Sequence, residues 1–324
     1  MDIQVQISAP GEAGQLEVAA NPLPAPGEAE IRVRHEAIGV NFIDIYHRSG
    51  LYPMPRLPAV LGVEGAGTVE AVGQGVTMLR PGDRIAYGGA PVGAYAATRL
   101  LPALQAVRLP EEISARDAAA SLLRGLTAHM LLTRTYPVTS GSVLLVHAAA
   151  GGLGAILTRW AKHLGAVVIG TVGSETKGET ARANGADHVI IGRNADIVTA
   201  IATITGGRGV DFAIDGIGGE MLARTLACVR RFGTIASIGQ AAGPIPPVPV
   251  EALGPQRSLN LARPSVMAYS AEPDTYRDAA AQVLAMMRAG VRAEIGREYA
   301  LAEASKAHAD LEGGRSTGSL LLIP

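Results

Sequence analysis

The stretch Val143-Leu-Leu-Val-His-Ala-Ala-Ala-Gly-Gly-Leu-Gly154 decides the fold class of this 324-residue chain. Its apolar first part predicts a buried strand, and a glycine-rich turn links that strand to a helix predicted over 154–164. The turn over 149–154 has alanine at the first small position of the dinucleotide-binding pattern Gly-x-Gly-x-x-Gly. Small residues let the backbone approach a pyrophosphate, which the free N–H groups at the helix start then bind. The candidate cofactor ligands here are Ala150, Gly151, Gly152 and Leu153.

Downstream of this turn, buried strands alternate with helices. Strands are predicted over 167–171, 188–191, 212–215 and 234–238, and a helix is predicted over 175–184. This alternation is typical of a doubly wound parallel sheet with helices on both faces, the Rossmann type of α/β fold. The proline-rich stretch over 244–249 predicts a loop or a sheet edge, because proline cannot donate into a central ladder.

Upstream, short strands and tight turns predict a β-barrel-like unit. The strands are predicted over 3–7, 15–19, 30–38, 62–72 and 84–87. After the parallel sheet, a helix is predicted over 274–289 and a last strand over 318–323.

The residues that follow the second Rossmann strand bear on the choice of cofactor. An acidic residue about 20 positions after the turn would bind the ribose 2′-OH of NAD. This chain has Gly173, Ser174 and Lys177 there, and a hydroxyl with a cation suits the 2′-phosphate of NADPH. Glu175, if turned inward, would favour NADH instead. NADPH is the expected cofactor, and its strictness over NADH stays open.

Composition limits the possible functions. The 28 positive and 29 negative residues leave a net charge of −1, so no global field attracts nucleic acid. The single cysteine, Cys228, cannot form an intramolecular disulfide. We find no signal peptide and no apolar run long enough to span a membrane, so a cytoplasmic enzyme is expected.

Several motifs together are specific to a known family. They include Asn41-Phe-Ile-Asp-Ile-Tyr-His-Arg-Ser-Gly-Leu-Tyr-Pro53, Gly62-Val-Glu-Gly-Ala-Gly67, Gly125-Leu-Thr-Ala128 and Arg263-Pro-Ser265. Over its whole length the chain resembles the zeta-crystallin branch of the medium-chain dehydrogenase/reductase superfamily. The resemblance implies a GroES-like β-barrel catalytic domain over 1–122 and 264–324, with a Rossmann domain inserted over 123–263. It also implies NADPH-dependent reduction of quinones in a homodimer whose Rossmann sheets pair edge to edge.

The resemblance assigns site residues as well. Asn41, Tyr46 and Tyr52 are implied to bind the substrate and donate hydrogen bonds to it, with Asn41 also near the cofactor. The other implied cofactor positions are Thr127, Gly216, Ile238, Gly239, Gln240, Arg263, Ser265 and Arg315. Some relatives carry Asn-Tyr after the third Rossmann strand, where this chain has Ile191-Gly192, so Arg193 is the expected substitute cation.

Zinc-dependent alcohol dehydrogenases share this superfamily, and their ligands can be tested against the sequence. Where those enzymes have a catalytic cysteine and histidine, this chain has Asn41 and Val63. No metal site is therefore expected. A quinone needs no Lewis acid, because it accepts a hydride readily and its oxygens need only hydrogen-bond donors.

Two other functions stay open at this point. The same hydride geometry would serve an enone or alkenal double-bond reductase. A protein of another class, crystallin-like or RNA-binding, could retain the NADPH pocket without catalysis.

Overall fold

The computed structural model describes residues 2–324 of the chain. Its first segment contains β1 Ile3–Ile7, β2 Glu17–Ala20, β3 Glu30–Val40, α1 Phe42–Ser49, β4 Ala59–Val60, β5 Glu64–Val72, β6 Arg84–Gly88, β7 Thr98–Pro102, β8 Val107–Arg108 and α2 Ala115–His129. The middle segment contains β9 Val143–Val146, α3 Gly152–His163, β10 Val167–Val172, α4 Glu175–Ala183, β11 His188–Ile191, α5 Ile197–Ile204, β12 Val210–Asp215, α6 Met221–Cys228, β13 Val229–Ser237 and β14 Asn260–Ala262. The last contains α7 Val266–Tyr269, α8 Pro273–Arg288, β15 Ile295–Ala300, α9 Ala304–Glu312 and β16 Ser319–Ile323.

The chain forms two compact units. Unit 1 comprises Met1–Leu126 and Val266–Pro324, and unit 2 comprises Thr127–Ser265. The domain ranges given above, which differ from these bounds by a few residues, stay a prediction.

Unit 1 is built on two sheets, as its short strands predict. One sheet has the order β2-β1-β4, and the larger has the order β15-β16-β3-β5-β6-β8 with β7 also paired to β3. The last strand returns to the first part of the chain, because Leu320 of β16 pairs antiparallel with Val40 of β3. Alternate residues of β3, such as Ile31 and Val33, are fully buried in the core of this unit.

Unit 2 is a six-stranded sheet in the order β11-β10-β9-β12-β13-β14, with every pairing parallel. This is the order of a doubly wound dinucleotide-binding fold, which confirms the predicted parallel sheet. The chain runs outward from β9 first towards β11 and then, from β12, towards β14. Right-handed crossovers therefore place α3 and α4 on one face and the later helices on the other. Leu144, Leu145 and Val146 are fully buried for that reason.

The switch point of the sheet lies between β9 and β12, where the strand order reverses. In such sheets, ligands bind outside the carboxyl ends of the strands at this point. These ends are Val146 and Asp215, so the turn after β9 and the loop after β12 delimit the expected cofactor site. The proline-rich stretch over 244–249 is a loop, as predicted.

Candidate active site

The glycine-rich turn of unit 2 has the geometry of a phosphate-binding turn. Ala148 has a positive φ of 51°, and its carbonyl accepts a hydrogen bond of 2.8 Å from Gly151 N–H, which closes the turn. Gly151 is the N-cap of α3, so the first N–H groups of the helix have no intrahelical partner. A Cβ on Gly154 would lie 2.3 Å from the Ala148 carbonyl oxygen. The helix thus approaches the turn to a distance that only glycine allows.

The end of β10 carries the groups expected to select the cofactor. Ser174 caps α4, and its hydroxyl oxygen accepts from Lys177 N–H while its own hydrogen stays available to a ligand. A Cβ on Gly173 would lie 3.6 Å from Arg193 Nε, so this exposed guanidinium lies beside the strand end. Glu175 instead forms an ion pair of 3.0 Å with Arg182 along its own helix. The arrangement therefore offers a hydroxyl and a cation to a phosphate, with the carboxylate engaged elsewhere.

A buried hydrogen-bond chain ties the strand ends at the switch point. Asp215 accepts from Thr225 at 3.0 Å, so that hydroxyl in turn accepts from His147 Nε2–H at 2.9 Å. His147 Nδ1 is then the acceptor for the Thr171 hydroxyl, also at 2.9 Å. Burial lowers the pKa of His147, although Asp215 acts in the opposite direction. This neutral histidine holds three strand ends together and is structural.

Hydrogen bonds also connect the loops that follow β12 and β13, next to the buried network of His147 and Asp215. Asp215 Oδ1 accepts from the backbone of Ile217 and Gly218, which shapes the loop that begins at Gly216. Ile238 N–H donates to the Asp215 carbonyl at 2.8 Å. Gly216, Ile238, Gly239 and Gln240 are thereby brought together at the carboxyl edge of the sheet. Arg263 donates to the Ser237 hydroxyl at 2.8 Å, next to the same edge.

The predicted substrate residues of unit 1 lie on or next to α1. Asn41 is the N-cap of this helix, and Tyr46 lies in its last turn. The rings of Tyr46 and Tyr52 form an edge-to-face pair with centroids 5.3 Å apart, and Phe42 lies 5.8 Å from Tyr46. The structure thus groups Tyr46 and Tyr52 into an aromatic cluster and fixes Asn41 at the start of the same helix.

Two carboxylates hold Asn41, and the sequence pattern alone did not indicate either contact. Asn41 Nδ2 donates to Glu64 Oε2 at 2.8 Å, and Asn41 N–H donates to Asp44 Oδ2 at 2.8 Å. Glu64 also accepts from Leu123 N–H at 2.7 Å and lies 3.4 Å from Arg124, which donates to the Val40 carbonyl. Burial raises the pKa of Glu64, although Arg124 lowers it. One hydrogen of the Asn41 amide is therefore committed to Glu64, and the second can serve a ligand.

Asp44 connects this group to a second buried network. Tyr95 donates to Asp44 Oδ2 at 3.0 Å, and Tyr95 in turn lies 2.9 Å from His308 Nε2. Burial raises the pKa of Asp44 to about 7 and lowers that of His308 to about 3. Arg48 bonds Glu312 and lies 3.2 Å from His308 Nδ1. Helix α1 is thus held in place by hydrogen bonds to residues of α9.

The remaining predicted positions are Thr127, Ser265 and Arg315. Thr127 is half-buried near the end of α2, and Ser265 is the last residue of unit 2. Arg315 follows α9 in unit 1, where it forms an ion pair of 2.9 Å with Asp310. Its role at a phosphate stays a prediction.

Zinc does not fit the residues of unit 1. Asn41 is a poor ligand and Val63 is none, and within residues 2–324 no three side chains of His, Cys, Asp or Glu are placed to hold a metal ion. Over the same residues, no helix is both long and apolar enough to cross a bilayer.

Comparisons with known proteins agree with this architecture. A family model described as "Alcohol dehydrogenase GroES-like domain" matches residues 27–111, and one described as "Zinc-binding dehydrogenase" matches residues 152–285. The quinone oxidoreductase of Pseudomonas aeruginosa is 41% identical over 322 residues, 99% of each chain. A 2-haloacrylate reductase from a Burkholderia species is 40% identical over 93% of this chain and 92% of its own length.

Among solved structures, Escherichia coli quinone oxidoreductase complexed with NADPH matches with a TM-score of 0.96 at 39% identity. The match covers 99% of this chain and 100% of that one. The predicted fold class, a GroES-like domain plus a Rossmann-type parallel sheet, is confirmed by these matches.

Proposed function

The chain belongs to the quinone oxidoreductases of the medium-chain dehydrogenase/reductase superfamily, and from this premise we propose that it reduces quinones with NADPH without a metal ion. The observation that carries the proposal is a combination of two features in one chain. The chain has a dinucleotide turn over 149–154, and it has Asn41 and Val63 where related enzymes have zinc ligands. A site without a Lewis acid suits an acceptor that takes a hydride readily, and a quinone is such an acceptor.

Unit 2 supplies the residues that would hold the cofactor. The turn over 149–154 and the start of α3 would bind the pyrophosphate, since N–H groups and the helix dipole favour an anion there. Ser174, Lys177 and Arg193 would bind the 2′-phosphate. When bound, NADPH supplies the hydride.

Unit 1 supplies the groups that would act on the acceptor. The free hydrogen of the Asn41 amide, with Glu64 fixing its direction, would donate to an oxygen that gains negative charge. Tyr46 and Tyr52 would contact the quinone through their rings and donate from their hydroxyls. We further propose that the protein acts in the cytoplasm as a homodimer, without nucleic acid or membrane as partners.

A second candidate reaction is the reduction of an activated carbon–carbon double bond, which the similarity to a 2-haloacrylate reductase favours. That reaction needs a proton donor at a carbon atom, whereas quinone oxygens take protons from water.

The two reactions are separated by measuring kcat/KM for 1,4-benzoquinone, 9,10-phenanthrenequinone, an alkenal and 2-chloroacrylate. We expect rapid turnover of the quinones and little of the others. Fast reduction of the alkenal or 2-chloroacrylate with inert quinones would reject quinone reduction in favour of the second candidate.

Cofactor choice is tested with Arg193→Ala. Loss of one charged contact to the 2′-phosphate should lower the preference for NADPH over NADH by about tenfold, equivalent to about 1.4 kcal/mol. The matched control is Arg134→Ala, an exposed arginine in the π-helical turn Met130–Thr135 that continues α2. An unchanged preference in Arg193→Ala would exclude this contact.

A further inference from the structure

Unit 2 contains a recess at the end of the sheet opposite the cofactor turn. It has a volume of about 550 Å³. Its lining comes from α5, the loop over 207–209 that precedes β12, the end of α6, the first residues of β13, and the segment 256–257. At about 3.3 Å per residue, β12 separates Val210 at this end from Asp215 at the switch point by roughly 16 Å. The recess is therefore distinct from the expected dinucleotide site.

The lining of this recess is strongly basic. Arg208, Arg230, Arg231 and Arg257 all line it, and none of the described lining residues is acidic. Four cations in one recess contrast with a chain whose total charge is −1. Such a concentration creates a local positive potential that attracts anions.

The partners of these arginines neutralise only part of the charge. Asp211 lies behind the lining and bonds both Arg208, at 2.8 Å, and Arg230. Arg257 donates to carbonyl groups at the end of α6, including Leu226 at 2.8 Å, so its charge is not cancelled by a carboxylate. One carboxylate among four guanidinium groups leaves a net charge of three.

Arg231 is the arginine best placed to meet a ligand. It is exposed, and among residues 2–324 its side chain forms no hydrogen bond or ion pair. Arg257 has a structural role, because it caps the C-terminus of a helix. Arg208 and Arg230 also have one, because both pair with Asp211. Neither explanation covers Arg231, whose guanidinium can bind two oxygens of a phosphate at once.

The remaining lining is uncharged and, apart from Gln256, mostly apolar. Val198, Ile201, Ala227 and Val229 contribute aliphatic surface beside the arginines. Cys228 also lines the recess, and burial raises the pKa of its thiol to about 11, so it adds no negative charge. Recesses of a few hundred cubic ångströms with mixed apolar walls and a few polar groups are typical of small-molecule sites.

We propose that this recess binds a phosphate monoester with a compact apolar or aromatic body, the phosphate on Arg230 and Arg231 and the body against Val198 and Ile201. The site is independent of the redox reaction, because it lies at the other end of the sheet and shares no residue with the cofactor turn.

The proposal is tested by isothermal titration calorimetry of the full chain with 2-naphthyl phosphate, in the presence of saturating NADP⁺ so that the dinucleotide site is occupied. We expect one site per chain. Inorganic phosphate and 2-naphthol should each bind at least about tenfold more weakly, because each lacks one half of the recognised group.

Two variants locate the site. Arg231→Glu should weaken binding by at least about tenfold through charge reversal, and Ala227→Trp should block it by filling the recess without changing charge. Arg134→Ala serves as the control and should bind like the wild type. Thermal unfolding of each variant checks that it is folded; both substituted residues are exposed, so little loss is expected.

Three results would overturn the proposal. They are the absence of binding in the NADP⁺-saturated protein, binding that NADP⁺ abolishes, and binding that neither Arg231→Glu nor Ala227→Trp changes.

Discussion

Asn41 is fixed in direction by groups that come from three different elements. Its backbone is held by Asp44 of α1 and its amide by Glu64 of β5, while Arg124 of α2 holds Glu64 in turn. An amide alone can turn about its terminal torsion, so a free Asn41 would present either its oxygen or its nitrogen to a ligand. The contact with a carboxylate, which only accepts, commits the nitrogen. We therefore propose that Glu64 positions the Asn41 amide as a donor.

The substitution Glu64→Gln tests this role. The new amide can keep an oxygen towards Leu123 N–H only by turning its nitrogen towards Asn41 Nδ2, so two donors would face each other. Asn41 should turn away, and kcat with a quinone should fall about 100-fold, the lower end of the range for one lost oriented donor. The KM for NADPH should stay within about twofold.

Glu70→Gln is the matched control, since Glu70 lies on the same strand with an exposed ion pair to Arg34. It should leave kcat unchanged. An unaltered kcat in Glu64→Gln, or a parallel change of kcat and the KM for NADPH, would contradict the positioning role.

Asp44 should make stability depend on pH. Burial raises its pKa from 3.8 to about 7, so the folded state binds this proton more tightly than the unfolded state. The resulting stabilisation is full below about pH 4 and is lost as the pH rises through 7. Asp44→Asn removes the titration while keeping an oxygen for Asn41 and Tyr95.

The free energy of unfolding of Asp44→Asn, relative to that of the wild type, should thus rise between pH 5 and pH 8. The expected rise is about 2 to 3 kcal/mol, at about 1.4 kcal/mol per pKa unit. Urea titrations at the two pH values measure it. A difference that stays constant would show that Asp44 does not titrate in this range.

The sequence predicts some of these residues but not the contacts between them. Asn41, Tyr46 and Tyr52 were identified from a family motif, and the phosphate turn from its own spacing. The contact between Asn41 and Glu64 spans 23 residues and arises from the packing of β5 beside the start of α1. Such tertiary contacts leave no local periodicity, so the pattern cannot indicate them.

At the scale of elements, prediction succeeded where burial and local pattern agree. Strand β9 was predicted before the glycine-rich turn, because an apolar run in that place admits few other structures. No helix was predicted over Ile197–Ile204, where α5 lies. Its sequence is rich in isoleucine, valine and threonine, which favour strands, and it becomes helical by packing on α6 and β11.

The close approach of α3 to the turn depends on one glycine. In Gly154→Ala the new Cβ would lie 2.3 Å from the Ala148 carbonyl oxygen, so the helix must move. We expect the free energy of unfolding to fall by about 1 to 3 kcal/mol and NADPH to bind more weakly.

Gly254→Ala is the control for this substitution, because a Cβ at Gly254 meets no atom within 4 Å. It should change stability by less than about 0.5 kcal/mol. Chemical denaturation and a fluorescence titration with NADPH measure both effects. If the two variants were equally stable, the Cβ added at position 154 would not be forcing α3 away from the turn.

At the scale of the whole molecule, the two units differ in how the chain builds them. Unit 2 is one continuous segment, whereas unit 1 needs the return of the last segment, since β16 pairs with β3. The local pattern predicted strands in both parts but could not show that they share a sheet. The family resemblance supplied that connection.

Unit 2 ends its sheet on β14, an edge strand of three residues, and a second copy could extend this sheet. We predict a homodimer in solution, so light scattering coupled to gel filtration should give twice the mass of one chain. The substitution Leu261→Pro in β14 should reduce that mass if the sheets pair edge to edge. A monomeric wild-type protein would contradict the dimer.

The most direct test of quinone reduction without a metal is a single-turnover measurement on protein dialysed against a strong chelator. NADPH and 1,4-benzoquinone are mixed with the enzyme without oxygen, and NADPH oxidation is followed by absorbance. We predict that chelation leaves the rate unchanged and that NADH reacts more slowly at equal concentration. Loss of the rate on chelation with recovery on adding zinc, or no oxidation of NADPH at all, would contradict the proposed function.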